Sequence, residues 1–200
     1  MQKQTLSVAT ILTLIRLIAS PLILPILLVY LLPYNHPALN TCVALLFAGL
    51  SFTDFLDGYY ARKYNQTSQL GAALDQIADK FLTNSTLIAL LAVDKIYFYW
   101  VIIFVGRDLF IMGLRHIALE NNFSLPVDYL GKVKTACMML LLTWIIINPY
   151  QHDAQTLFWN QTELILLTIS LLLTILSAYA YFRGFMQNMH AYPQIEEKEL

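Results

Sequence analysis

Charge is scarce in this 200-residue chain. Asp, Glu, Lys and Arg together make up 12% of it against 58% hydrophobic residues, and the mean hydropathy is positive. Those proportions exclude an ordinary soluble domain. A net charge of -1 and the lack of any dense Lys/Arg cluster exclude a nucleic-acid binder. The two cysteines, Cys42 and Cys137, sit singly in apolar runs without a CxxC pair, which excludes a disulfide framework and a zinc site. His36, His116, His152 and His190 stand apart with no ligand spacing. No Pro/Gly/Ser-rich linker and no solenoid-length repeat breaks the chain, so a single domain over 1-200 is expected, with a mobile tail from about residue 190.

What is present is a series of long apolar runs. A bilayer core needs about 20 such residues per helix, and six spans are expected: Val8 to Leu32, Ala38 to Ala61, Leu70 to Val93, Tyr97 to Ala118, Leu130 to Ile147, and Glu163 to Phe185. The fold class is therefore all-α, a polytopic membrane protein. The first run is too long for a signal-peptide core and lacks a small-x-small cleavage site, so it counts as a span. Lys3, Arg62, Lys63, Arg115, Lys132, Lys134, Arg183 and Lys198 fall at the N-terminus, the second and fourth connections and the C-terminus. The third connection has only Lys95, and the first and fifth have none. Both termini are then expected in the cytoplasm. Trp100, Trp144 and Trp159 suit interface belts and helix packing.

Against this background four carboxylates stand out. Asp54 and Asp57 are i, i+3; Gly71, Asp75 and Asp79 are i, i+4, i+8, so each set shares one helix face. Charges at membrane depth are costly unless paired or coordinated. Oxygen ligands without His or Cys select hard cations, Mg²⁺ or Mn²⁺. Four carboxylates exceed what one Mg²⁺ takes from a protein, and two ions about 4 Å apart could share them, the arrangement that clamps a phosphoryl displacement. Gly58 and Ala61 leave a strip beside the carboxylates almost free of side-chain bulk, where a nucleotide could lie. Intramembrane carboxylates also bind structural cations, relay protons or line an ion pathway, and Arg62, Lys63 and Lys80 could merely neutralise them. A divalent-cation carrier would spread its acids through the membrane depth, whereas these cluster at one side.

A second set of charges is cationic. Arg107 lies within the fourth span and Arg115 near its cytoplasmic end, about 80° apart around the helix, so both can face one pocket. Lys132 and Lys134 differ by about 200°, so one of them points into it. Arg offers phosphate a bidentate fork and Lys a point charge. Asp108 faces another direction from Arg107. Arg115, Lys132 and Lys134 could instead simply set topology at the headgroup level. Arg16 sits deep in the first span with Thr13 one turn before it, placed to brace the carboxylates or bind a phosphate.

The run Asp54, Asp57, Gly58, Ala61, Arg62 and, after eight intervening residues, Gly71, Asp75, Asp79 resembles the defining motif of the CDP-alcohol phosphotransferases at every fixed position. The resemblance extends from about residue 8 to residue 185. The segments around Thr13 and Arg16, Gly106 to Arg115 and Leu130 to Thr135 are similar to members of that family whose acceptor is sn-glycerol 3-phosphate. Relatives often carry Pro, Glu and Ser where Gln76, Asp108 and Asp128 stand. The resemblance implies a six-helix fold and a homodimer, and the pattern of cations puts the active site of this inner-membrane protein on the cytoplasmic side. The resemblance also implies a binuclear Mg²⁺ or Mn²⁺ centre on Asp54, Asp57, Asp75 and Asp79, with Asp79 also the general base. Gly58, Ala61, Arg62, Gly71, Thr13 and Arg16 would bind CDP-diacylglycerol, and Arg107, Arg115, Lys132 and Lys134 the phosphate of the acceptor. Members that accept phosphatidylglycerol or an inositol phosphate are the nearest alternatives.

Overall fold

The computed structural model describes residues 21–63, 69–121, 123, 129–148 and 157–191, and of these 54–63, 69–76, 190 and 191 by their backbone alone. Every regular element among the described residues is helical. The described part of α1 covers 21–31 and ends in a 3-10 turn over Leu32–Tyr34. Then follow α2 (Pro37–Lys63), α3 (Gln69–Ala92), α4 (Phe98–Glu120), α5 (Tyr129–Ile147) and α6 (Leu157–Ala191). Four of the expected spans coincide with α2 to α5 to within a few residues. Helix α6 runs past both ends of the expected Glu163 to Phe185. Its polar ends, Asn160 to Thr162 and Gln187 to Asn188, continue the helical hydrogen bonding after the apolar run has stopped. The expected first span falls partly, and the expected tail from residue 192, outside the described residues.

Helix ends explain how an apolar chain turns. Asp94 adopts φ 56° just past α3, a left-handed conformation that Asn and Asp tolerate because their short side chains bond locally. The Asp94 amide donates to Leu91 and the Lys95 amide to Leu90, the paired closure of a Schellman motif. Asn35 plays the equivalent part after the 3-10 turn, with φ 49° and its amide on the Leu32 carbonyl. Along the helices, hydroxyls turn inward on their own backbone: Thr41 to Pro37, Ser51 to Phe47, Thr86 to Leu82 and Thr174 to Ser170. A hydroxyl satisfied within its own helix can sit in an apolar medium without needing water.

The chain divides into two compact units, residues 1–101 with 142–163 and residues 102–141 with 164–200. In the first, α2 packs on α3, and Leu24, Leu28, Phe47, Leu82, Leu87, Leu90 and Ile145 are fully buried. Tyr97, Phe98, Tyr99 and Trp100 stack at the start of α4, and Trp144 packs on Phe158 and Trp159 between α5 and α6. In the second, Ile111, Leu114, Ala118, Tyr181 and Phe185 form an apolar cluster joined by Phe123 and Met189. Arg107 meets Ser177, Arg115 meets Tyr181 and Phe123 meets Phe185. These pairs ascend together, so α4 and α6 run in the same direction. Many large apolar side chains face outward, Ile102, Leu109, Met112, Leu172, Ile175 and Leu176 among them, and α5 and residues Leu157–Met189 of α6 are long and apolar enough to cross a bilayer. An apolar exterior on apolar helices of this length marks a membrane protein.

Lys95, the lone cation of its connection, is 6% exposed. Its ammonium donates to the carbonyls of Ile145 and Asn148, closing the C-terminus of α5, where a positive charge complements the helix dipole. The Asn148 side chain passes the link on to Glu163 at 3.1 Å. Burial pulls the Lys95 amine down from 10.5 to about 8, with the Glu163 carboxylate opposing that shift. Between those two values the unfolded chain keeps a proton that the folded chain has released, so this group's contribution to stability rises with pH across the window. The melting temperature of the wild type should therefore gain on that of Lys95→Met between about pH 8 and pH 10.5. A difference that stays flat or shrinks would contradict a desolvated amine.

Candidate active site

Helix α2 carries Asp54, Asp57, Gly58, Ala61 and Arg62 in its last turns, and α3 carries Gly71, Asp75 and Asp79 from its first turn onward. Both stretches are helical, so the i, i+3 and i, i+4, i+8 spacings hold as shared faces on two helices that pack together. The side chains from Asp54 through Gln76 lie outside the described residues, as do Thr13, Arg16 and Asp128. Of the four motif carboxylates Asp79 is the one described: its side chain is 22% exposed and lies 3.4 Å from the Lys80 ammonium. Thr83, one turn on, donates to the carbonyl oxygen of Asp79 rather than to its carboxylate, which leaves those oxygens to Lys80 and to any ligand. An all-oxygen donor set carried by two adjacent helices fits a hard divalent cation and no softer one.

The cationic residues are held more tightly than their spacing suggests. Asp108, 7% exposed, does not turn away from Arg107 as its place on the helix suggests. One of its oxygens accepts from Arg107 Nη1 at 3.0 Å and from Lys134 Nζ, on α5, also at 3.0 Å. Arg107 Nη2 donates to Ser177 of α6 at 2.9 Å, and its buried Nε has no partner among the described residues. Lys134 is 2% exposed and Lys132 is exposed, so these two residues point to different sides of α5. Arg115 reaches the same helix as Arg107 does, with Nε and Nη2 donating to the Tyr181 hydroxyl at 3.2 and 3.1 Å. Its guanidinium carbon lies 5.7 Å from the Tyr181 ring centre, within cation–π range. The structure thus brings Arg107, Asp108 and Lys134 into one ion cluster and sets Arg115 on a separate, neutral partner.

Ser177 and Tyr181 do not stand out by their chemistry in the sequence. The signal that marks them is a period: Ser170, Thr174, Ser177 and Tyr181 fall at i, i+4, i+7, i+11 on an otherwise apolar helix, and all four are buried. That is a polar stripe facing protein rather than lipid.

Likeness to known proteins agrees with this geometry. The CDP-alcohol phosphatidyltransferase family model matches residues 6–176. The chain belongs to that family. Among its relatives, a protein of Rickettsia bellii named CDP-diacylglycerol–glycerol-3-phosphate 3-phosphatidyltransferase is 35% identical over 173 residues, 86% of this chain and 92% of that protein. Proteins of the same name from Escherichia coli strain K12 and Salmonella choleraesuis are 33% and 32% identical, each over 72% of this chain and 78% of their own length.

Removing one member of a buried ion cluster leaves the others uncompensated in a low dielectric, which costs about 3–5 kcal/mol. Asp108→Asn is expected to lower the melting temperature in detergent by about 10 °C, and adding Lys134→Met should recover part of the loss. An unchanged melting temperature for Asp108→Asn would show that the cluster is solvated.

Proposed function

We propose that this chain transfers the phosphatidyl group of CDP-diacylglycerol to sn-glycerol 3-phosphate, giving phosphatidylglycerophosphate and CMP. The observation that carries the reading is the likeness to proteins named for that reaction over 86% of the chain, with every fixed residue of the acidic motif in place. The helical frame of α2 and α3 supports it, because the motif positions fall at helical spacing on two helices that pack together.

In this reading Asp54, Asp57, Asp75 and Asp79 hold two Mg²⁺ or Mn²⁺ ions. Such ions, when bound, neutralise the pyrophosphate and the charge that develops on the departing CMP. Gly58, Ala61, Arg62, Gly71, Thr13 and Arg16 bind the CDP-diacylglycerol headgroup. Gly58 and Ala61 do so by lacking bulk, and Arg16 and Arg62 by charge. Arg107, Arg115, Lys132 and Lys134 make the cationic environment for the phosphate of the acceptor. Asp79 takes the proton from a glycerol hydroxyl as the hydroxyl oxygen bonds to the β-phosphorus. The bond from that phosphorus to the CMP oxygen breaks, and CMP leaves with the electron pair.

The whole chain acts as one catalytic domain with six spans in the inner membrane, both termini and the motif on the cytoplasmic side, and it works as a homodimer. Parallel α4 and α6, with α5 between them in sequence, support alternate crossings. A cytoplasmic opening suits the chemistry, because the donor's acyl chains stay in lipid while the soluble acceptor arrives from water.

Asp57→Asn and Asp75→Asn each remove a charged ligand while keeping volume. Both should abolish CMP release from CDP-diacylglycerol in the purified protein while leaving the melting temperature within a few degrees of wild type. Retained activity in either variant would refute the metal assignment.

A further inference from the structure

Resting on the reading that this cationic set receives the acceptor's phosphate, we propose that Tyr181 is a positioning residue that aims the free edge of Arg115 at that phosphate. A guanidinium has five N–H donors arranged as edges, and a phosphate is gripped best by two parallel donors on one edge. On Arg115 the Nε–H and one Nη2–H converge on a single oxygen, the Tyr181 hydroxyl, at 3.2 and 3.1 Å. Among the described residues, no acceptor meets the Nη1/Nη2 edge. Two bonds to one atom, with the ring 5.7 Å from the guanidinium carbon, fix both the direction and the plane of that edge.

Arg107 and Lys134, the other two cations held by side chains in this unit, have no such edge to offer. Arg107 has one terminal nitrogen on Asp108, the other on Ser177, and an Nε sealed from solvent. Lys134 is 2% exposed and bound to Asp108. Among the described residues these two cations share one carboxylate, whereas Arg115 meets a neutral hydroxyl. Arg115 is also only half-buried, so a phosphomonoester can reach it. Tyr181 itself is packed, being 7% exposed within the cluster of Ile111, Leu114, Ala118 and Phe185. It lies beyond the residues matched by the family model, 6–176, and outside the acidic motif.

The substitution that isolates the hydroxyl is Tyr181→Phe, which keeps the ring, the stacking and the cluster volume. A hydrogen bond to a charged group is worth about tenfold or somewhat more in an equilibrium. The KM for sn-glycerol 3-phosphate should therefore rise about tenfold, with the CDP-diacylglycerol KM and the kcat at saturating acceptor within about twofold of wild type. Because Tyr181 acts through Arg115, the double variant Tyr181→Phe/Arg115→Ala should be no worse for the acceptor than Arg115→Ala alone. A raised acceptor KM in Arg115→Ala with none in Tyr181→Phe would overturn the positioning role. So would independent, additive effects, or a loss in Tyr181→Phe that falls equally on both substrates together with a lower melting temperature. If Arg115→Ala itself leaves the acceptor KM unchanged, it is the reading of the cationic set that fails.

Discussion

A carboxylate buried among apolar helices persists only where donors of opposite charge meet it, and Asp108 is met by two. Its single oxygen shared between Arg107 and Lys134 ties α4 to α5, and the second terminal nitrogen of Arg107 ties α4 to α6. With so little charge in the chain, each charged group has to be compensated at its own site. The three helices are therefore joined where the charges are. The cost of removing such a charge from water also explains why these cations meet an anion rather than standing as an open ring of lysines and arginines.

The same constraint shapes the other unit in a different form. Lys95 reaches inward to carbonyl groups that end α5, and the Glu163 carboxylate, which accepts from the Asn148 side chain, favours the charged form of the lysine. A helix C-terminus is a partial negative charge already in place, and it helps to hold a buried cation. In both units a charge that looks like a topology marker in the sequence serves as a joint between helices.

Much of the fold was legible because lipid imposes one rule: backbone groups must be satisfied within the segment, so apolar runs of sufficient length become helices. The expected spans over α2 to α5 follow from that rule alone. The ends of α6 were not legible, since hydropathy reports where lipid stops and not where helical hydrogen bonding stops. Of the candidate site, Asp54, Asp57, Asp75 and Asp79 announce themselves by spacing, because four negative charges on two helical faces repel one another and are costly in lipid without cations to hold. The opposite sides taken by Lys132 and Lys134 likewise follow from a helical angle. What spacing could not give was the partner of each cation. Asp108 is adjacent to Arg107 in sequence and on helical geometry points elsewhere, but a long guanidinium arm folds back to it. Ser177 and Tyr181 lie more than sixty residues from the arginines they hold, and only the folded chain brings them together.

An acidic pair of helices that displaces CMP, and a cationic set that selects an alcohol bearing a phosphate, together make the central claim. The most direct measurement is CMP release by the purified protein from CDP-diacylglycerol with Mg²⁺ or Mn²⁺, comparing sn-glycerol 3-phosphate with glycerol, serine, inositol 1-phosphate and phosphatidylglycerol as acceptors. The account predicts rapid release with sn-glycerol 3-phosphate and almost none with unphosphorylated glycerol. Equal release with glycerol, or a preference for phosphatidylglycerol, would contradict it.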